Sequence, residues 1–356
     1  MSTLKVNKIE ATGTTDGGIE IDSDGHVQMD GMQLPTTGAL SNRNLFINGA
    51  CLINQREANQ EWTESDAKFG PTDHFETRVV GDEWQGETSH ETVNVNNEFV
   101  RCHRVKTTTP ETTVDGTNQI VVESHIEGQS LQHLGWNTSA AKSLTLSFWV
   151  RSSQTGTYVV KLYRVGDAGR QLNKTYTIGS ADTWQQVTLT WDGDTTGGAF
   201  PNDSTQGIRV AWQLAAGGDF TSGTQPTTWT DYTNPIWASG HTENSFMTTD
   251  DATWDVTGVQ LEVGDMATPF EHRSYSDYLI QCQRYFLKIA GDANNYMAQT
   301  TNGYTRVTLL FPVTMRAAAS CSSSGWSLWG TAGAVSGYYN TQGNATLPTI
   351  QCSAEL

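Results

Sequence analysis

At 356 residues the chain is long enough to bury a real core and to divide into two or three folding units. A formal net charge of −17 repels phosphate backbones and excludes nucleic-acid binding through the overall field. Gly recurs 34 times among abundant Thr, Val, Trp, Tyr and Phe, and long runs of Ala, Leu, Glu and Lys are missing, so the pattern is all-β: many short strands joined by tight turns.

Residues 1–40 read as a separate β-ribbon segment. Leu4 and Val6 alternate with polar residues, as do Ile19 and Ile21, and Val27 and Met29. Asp24-Gly25 between the last two pairs is a hairpin turn signal. Asp22 and Asp24 open like a calcium loop but lack the rest of its ligand series, so the turn reading is preferred. Ribbons this short bury too little apolar area to stand alone. Winding with copies from other subunits would supply the missing core, and a homotrimer with an N-terminal attachment segment is expected.

Residues 41–273 carry the pattern of a large β-sandwich. Leu45-Phe46-Ile47 reads as an apolar strand ending at Asn48-Gly49. Alternation marks Leu144 to Val150 and Trp184 to Trp191, with further strands at Thr157 to Tyr163, Ile208 to Trp212 and Trp254 to Leu261. Alternating strands with turn-rich spacers indicate a jelly roll.

A connecting helix is expected over 274–288. Tyr278, Leu279, Cys282, Tyr285 and Phe286 recur at three- and four-residue steps, with Ser274 or Ser276 as the cap. Residues 289–356 return to β character as a small C-terminal β-domain. Thr305 to Phe311 reads as a strand stopped by Pro312, whereas Ser322 to Gly325 and Gly330 to Gly337 read as turns and loops. About seventy residues make a marginal core, which again points to contacts between subunits. No constant period suggests a solenoid.

Cys51, Cys102, Cys282, Cys321 and Cys352 are far apart and form no CxxC pair, so buried free thiols made in a reducing cytoplasm are the simplest expectation. The opening residues lack the apolar run of a signal peptide, and no stretch approaches a membrane span. Synthesis in the cytoplasm without membrane insertion is expected.

Several motifs in order resemble the tail-fibre and virion structural proteins of tailed phages. These are Leu4-Lys-Val-Asn-Lys-Ile9; Asn44-Leu-Phe-Ile-Asn-Gly49 with Gln55-Arg56; Val256 to Gly264 running through Ala267 to Arg273 into Gln281 to Tyr285; and Phe311 to Arg316. Thr72-Asp-His-Phe75 departs from the family's usual Asp-Arg-Trp. The sandwich is also similar to carbohydrate-binding modules of jelly-roll type, through Leu146 to Val150 and Thr183 to Val187. The resemblance implies a virion location, with other tail or capsid proteins as partners. Carboxylates that hold calcium in such modules are replaced here by Leu52 and Thr257, leaving Asp255 as the nearest substitute. Neither metal nor cofactor is therefore expected.

Signatures of catalysis are missing: no GxSxG elbow, HExxH, P-loop or dinucleotide fingerprint. His74 follows Asp73 directly, and neighbours in a strand point to opposite faces, so the two make a poor catalytic pair. Among twelve tryptophans, Trp149, Trp184, Trp191 and Trp212 lie on or beside strong strands and read as packing. Trp84, Trp229, Tyr232 and Trp237 sit in polar surroundings and are the candidates for stacking on a sugar. The expected function is a non-enzymatic virion structural protein of a tail fibre or similar appendage that contacts host surface glycan. The alternatives are a head-attached fibre or decoration protein and a glycan-depolymerising tailspike, whose two carboxylates no motif would reveal.

Overall fold

The computed structural model describes residues 41–56, 59–63, 65–166, 169–289, 297–301, 304–323, 327–340 and 349–355, and of the leader 8–9, 19–21, 27–29 and 32–33. In the leader, β1 (Lys8–Ile9), β2 (Ile19–Ile21), β3 (Val27–Met29) and β4 (Met32–Gln33) pair in chain order. Ile19 faces Met29 and Ile21 faces Val27, the register that a turn at Asp24-Gly25 demands. That turn, with Leu4, Val6 and Asp22, lies outside the described residues.

The centre is a two-sheet sandwich, and the all-β, jelly-roll class expected above is the class observed. One sheet has six strands: β5 (Asn59–Trp62), β8 (Gln85–Val95), β9 (Phe99–Thr109), β11 (Leu144–Ser152), β14 (Gln185–Trp191) and β17 (Thr253–Val263). The other has seven: β6 (Asp66–Phe69), β7 (Glu76–Val80), β10 (Gln119–Glu127), β12 (Gly156–Arg164), β13 (Arg170–Ile178), β15 (Gln206–Ala216) and β16 (Thr230–Asp231). Their orders are β14-β11-β17-β9-β8-β5 and β16-β13-β12-β15-β10-β7-β6, so the chain repeatedly crosses between layers. Alternation turns Leu144, Leu146, Phe148 and Val150 inward against Val160, Leu162, Val210 and Trp212. Trp212 packs at 5.9 Å from Phe46 and 5.7 Å from Phe148, ring to ring.

The segment around Leu45-Phe46-Ile47 is not a strand. Two asparagine side chains replace the ladder there. Asn44 Oδ1 accepts from Phe46 N and Leu261 N, and its Nδ2 donates to Val259 O. Asn48, at φ 56°, bonds both N and O of Ile53 through its amide. Such local side-chain bonds compete with sheet pairing and hold the coil against β17.

After two short helices, α1 (Gly218–Thr221) and α2 (Ser245–Thr248), the expected helix appears as α3 (Tyr275–Gln283). Ser274 caps it by accepting from Asp277 N. It is shorter than expected, because Phe286 and Leu287 belong to β18 (Phe286–Ile289). The C-terminal body then comprises β19 (Met297–Thr301), β20 (Tyr304–Leu310), β21 (Ser320–Ser322), β22 (Ser327–Gly330), β23 (Ala334–Asn340) and β24 (Ile350–Ser353). Strand enters both stretches read as turns from sequence: Ser322 ends β21, paired with the remote β24, and the 330–337 stretch holds the end of β22 and most of β23, paired with β20. Cys321 and Cys352, directly opposite each other, form a disulfide, which corrects the expectation of five free thiols; Cys51, Cys102 and Cys282 are free and buried. No helix among the described residues is long and apolar enough to cross a membrane.

Candidate functional site

The β12–β13 hairpin places Arg164 and Arg170 opposite each other, and both reach into the loop that follows β14. Tight packing requires glycine at the hairpin: Gly169 sits at φ 61°, and a Cβ there would fall 2.1 Å from the Tyr163 hydroxyl. Arg170 is held from several sides. Its Nε and Nη2 hold Asp194 at 2.7 and 3.2 Å, Nη2 also donates to Thr196 Oγ1 (3.0 Å) and Trp229 O (2.9 Å), and Nη1 holds Asp231 at 2.8 Å. Arg164, buried, donates to the carbonyl of Gly198 at 2.5 Å. Around them lies a cleft of about 630 Å³ whose lining includes Arg164, Arg170, Thr196, Thr205, Gln206 and Asp231.

With Arg170 satisfied internally, this cleft offers a visitor hydroxyls, an amide, backbone carbonyls and one exposed carboxylate. Asp194 and Asp231 share one guanidinium, and Asp194 is buried beneath it. Such a lining suits a neutral polyhydroxyl ligand, which takes many hydrogen bonds and no dominant ion pair.

Three of the four sequence candidates lie on the strand-and-loop run from Trp229 to Trp237; Trp229 and Tyr232 bond lining residues of the cleft through their backbones, and the three differ in what they present. Tyr232 is 37 % exposed, and its N donates to Gly169 O at 3.0 Å, which fixes it beside the hairpin. Trp229 is half-buried; its Nε1 donates to Asp192 O at 2.7 Å while its ring meets Trp136 edge-on. Trp237 is 8 % exposed, caught between Tyr163, Tyr232 and the Lys161 side-chain nitrogen, so it is packing material. Trp84 is 2 % exposed in the main core, with Nε1 on Thr107 Oγ1, and presents no free ring face. Both were placed among the candidates on polar sequence surroundings alone, and burial removes them. The arginines and Asp194 were not anticipated; a pair of arginines bracketing a Gly-containing hairpin is the signal that existed.

Asp255, the substitute considered for a calcium ligand, is committed elsewhere. Arg104 grips it at 2.6 and 2.9 Å and Arg151 at 2.5 and 2.9 Å, two guanidiniums where a cation would sit. Leu52 packs in the apolar cluster around α3. Among the described residues one other group is compact enough for a metal: Glu76, Glu123 and His125 on the outer face of the seven-stranded sheet. Arg209 lies 3.0 Å from Glu123, with Arg78 at 3.8 Å, and His125 Nε2 is 3.2 Å from Glu76. Burial opposes ionisation of Glu123, yet the bond to His125 and the two guanidiniums outweigh it and hold its carboxyl down at about 2. Positive charge is thus already supplied, and the cluster reads as an ion-pair network.

No protein-family model matches this sequence, and no curated protein matches it. Solved structures with a similar chain path include the enzymatically active domain of tailspike protein 4 of bacteriophage CBA120, at 10% identity and TM-score 0.30, over 62% of this chain and 21% of that one. Another is a family 11 carbohydrate-binding module from Clostridium thermocellum in complex with a β-1,3-1,4-mixed-linked tetrasaccharide, at 9% identity and TM-score 0.25, over 61% and 96%. A third is the N-terminal cellulose-binding domain of Cellulomonas fimi β-1,4-glucanase C, at 12% and 0.24, over 60% and 93%. This chain covers only about a fifth of the tailspike domain's length. At these values the similarities carry no inference about ligand or reaction.

Proposed function

We propose that the chain is a non-catalytic structural protein of a phage virion, part of a tail fibre or similar appendage, and that the cleft beside the β12–β13 hairpin contacts a host-surface glycan. The observation that carries the glycan half is the pairing of that polar cleft with an accessible ring, Tyr232, locked at its edge. Among the described residues the two carboxylates at the cleft, Asp194 and Asp231, are both tied to Arg170, which supports binding without cleavage. The virion half is supported by the ordered sequence motifs and by a β-hairpin leader ahead of the sandwich. Three copies joined through their leaders and C-terminal bodies complete the reading, and Leu310, 81 % exposed on the C-terminal sheet, is the surface that supports it.

One ring stacked on a sugar contributes modestly, so a single site binds weakly and repetition on the virion supplies avidity. The test is adsorption of virions, and binding of the purified protein to host lipopolysaccharide or capsule, with Tyr232→Ala and Trp229→Ala. Weakened adsorption with unchanged assembly is expected; normal adsorption by the double variant would remove the glycan half. Size and reducing ends of the polysaccharide, read after incubation, should stay constant, and their change would make the protein a depolymerase.

A further inference from the structure

Lys161, in the middle of β12, is 0 % exposed. Its Nζ lies 2.9 Å from Oε1 of Gln213, equally buried on β15. The Gln213 amide is held in that pose because its Nε2 donates to the carbonyls of Ala215 at 2.6 Å and Ile120 at 3.3 Å. Trp237 closes the amine's other side, its ring centroid 3.5 Å from Nζ. Lys161 and Glu123 both pair with Ala211, one from each flank, so they lie two strands apart, and the Glu123 carboxylate is engaged by His125 and Arg209.

We propose that Lys161 and Gln213 are a self-processing pair that joins β12 to β15 through an amide cross-link. Nζ of Lys161 attacks Cδ of Gln213; the Nζ–Cδ bond forms, the Cδ–Nε2 bond breaks and ammonia leaves. The proton released by the attacking nitrogen passes to the departing one. The sum is amine plus primary amide giving secondary amide plus ammonia, with no oxidant or reductant.

Three features support the step. The reacting groups are already in contact, and the carbonyl carbon is one bond of about 1.2 Å beyond Oε1, so the translational cost of bringing them together is met by folding. Burial pushes the Lys161 ammonium well below its ordinary range, against the pull of Glu123, and thereby favours the nucleophilic free amine. Enclosure under Trp237 keeps water from the product amide. The cross-link would staple the centre of the seven-stranded sheet across 52 residues of chain, a reinforcement suited to a protein pulled along its length.

Intact mass spectrometry of the unfolded, reduced full-length chain decides the matter. The expected mass is about 17 Da below the sequence value, one ammonia lost in forming a covalent bond. Trypsin should then skip Lys161 and release a branched peptide joining residues 152–164 to 210–273. Lys161→Met and Gln213→Met should each restore the full mass. A folded wild-type protein of unaltered mass overturns the proposal, as does a mass deficit that persists in Lys161→Met. This readout needs only the wild-type chain to fold.

Discussion

In the sandwich the interior is filled by Trp62, Trp191, Trp212 and Trp254 with Phe46, Phe75 and Phe148, all fully buried between two broad sheets. In the C-terminal body the buried set among the described residues is Leu287, Leu309, Phe311, Met315, Val335 and Ile350 with smaller residues, and no tryptophan. The body compensates with a disulfide and with bonds to its neighbour. Arg284 grips Glu127 at 2.7 and 2.8 Å, Tyr285 donates to the same carboxylate, and Arg56 bridges Asp73 and Glu355 while stacking on Phe286. Core volume grows faster than surface, so the large unit holds itself by packing and the small one by covalent and polar ties.

Acid should separate the two units most strongly. Burial pushes the imidazoles of His74 and His103 down to about 3 and that of His241 to about 4. The unfolded chain therefore binds more protons than the folded one below the ordinary imidazole range, and stability falls with falling pH. Each of these histidines contributes full stability above about pH 6.5 and loses about 1.4 kcal/mol per pH unit below it, down to its folded pKa. His125 works in the other direction, raised by Glu123 and Glu76 against its burial, so its contribution is complete below about pH 6.5 and is lost as pH rises through its folded value. The stretch from 289 to 356 contains no histidine. Hydrogen exchange between pH 7 and pH 4 should show the sandwich opening first, and equal protection loss in both units would break the comparison.

Cys321→Ser should act on the smaller unit. The disulfide closes a separation of 31 residues, and its loss should cost about 2–4 kcal/mol by releasing the unfolded loop. Protection should fall along β21 and β24 while β11 and β17 keep theirs; a global loss would show that the two units unfold together. The smallest effect on the monomer is expected from Leu310→Lys, within about 0.5 kcal/mol because the side chain is already in solvent. Its consequence should instead be assembly. Light scattering should find a trimer in the wild type and smaller species in the variant, and a wild-type monomer would remove the trimer from the proposal.

Periodicity made the sandwich legible: Leu144 to Val150, Gln185 to Trp191 and Trp254 to Leu261 all lie in strands because alternation is a local property that a two-layer core reads directly. Of the two caps that the sequence offered, Ser274 and Ser276, the fold uses Ser274. Local signals misled where distant groups intervened. Asn44 and Asn48 turned an apolar run into a clamped coil, and β23 formed in a glycine-rich stretch because β20 offered a partner.

The candidate site was legible only as aromatic rings in polar loops. A tryptophan in such a loop looks the same whether its ring faces solvent, as half-buried Trp229 still partly does, or is pinned inward, as Trp84 and Trp237 are. Composition and alternation thus determined by themselves that the chain is all-β, acidic and built around a sandwich, since those features sum over many local choices. Tertiary structure alone decided that Arg164 meets Arg170 over Asp194, that Asp255 is claimed by two arginines, and that Lys161 touches Gln213. Each of those depends on strand register and on loops closing between residues far apart in sequence, and a one-residue slip would send every such side chain to the opposite face.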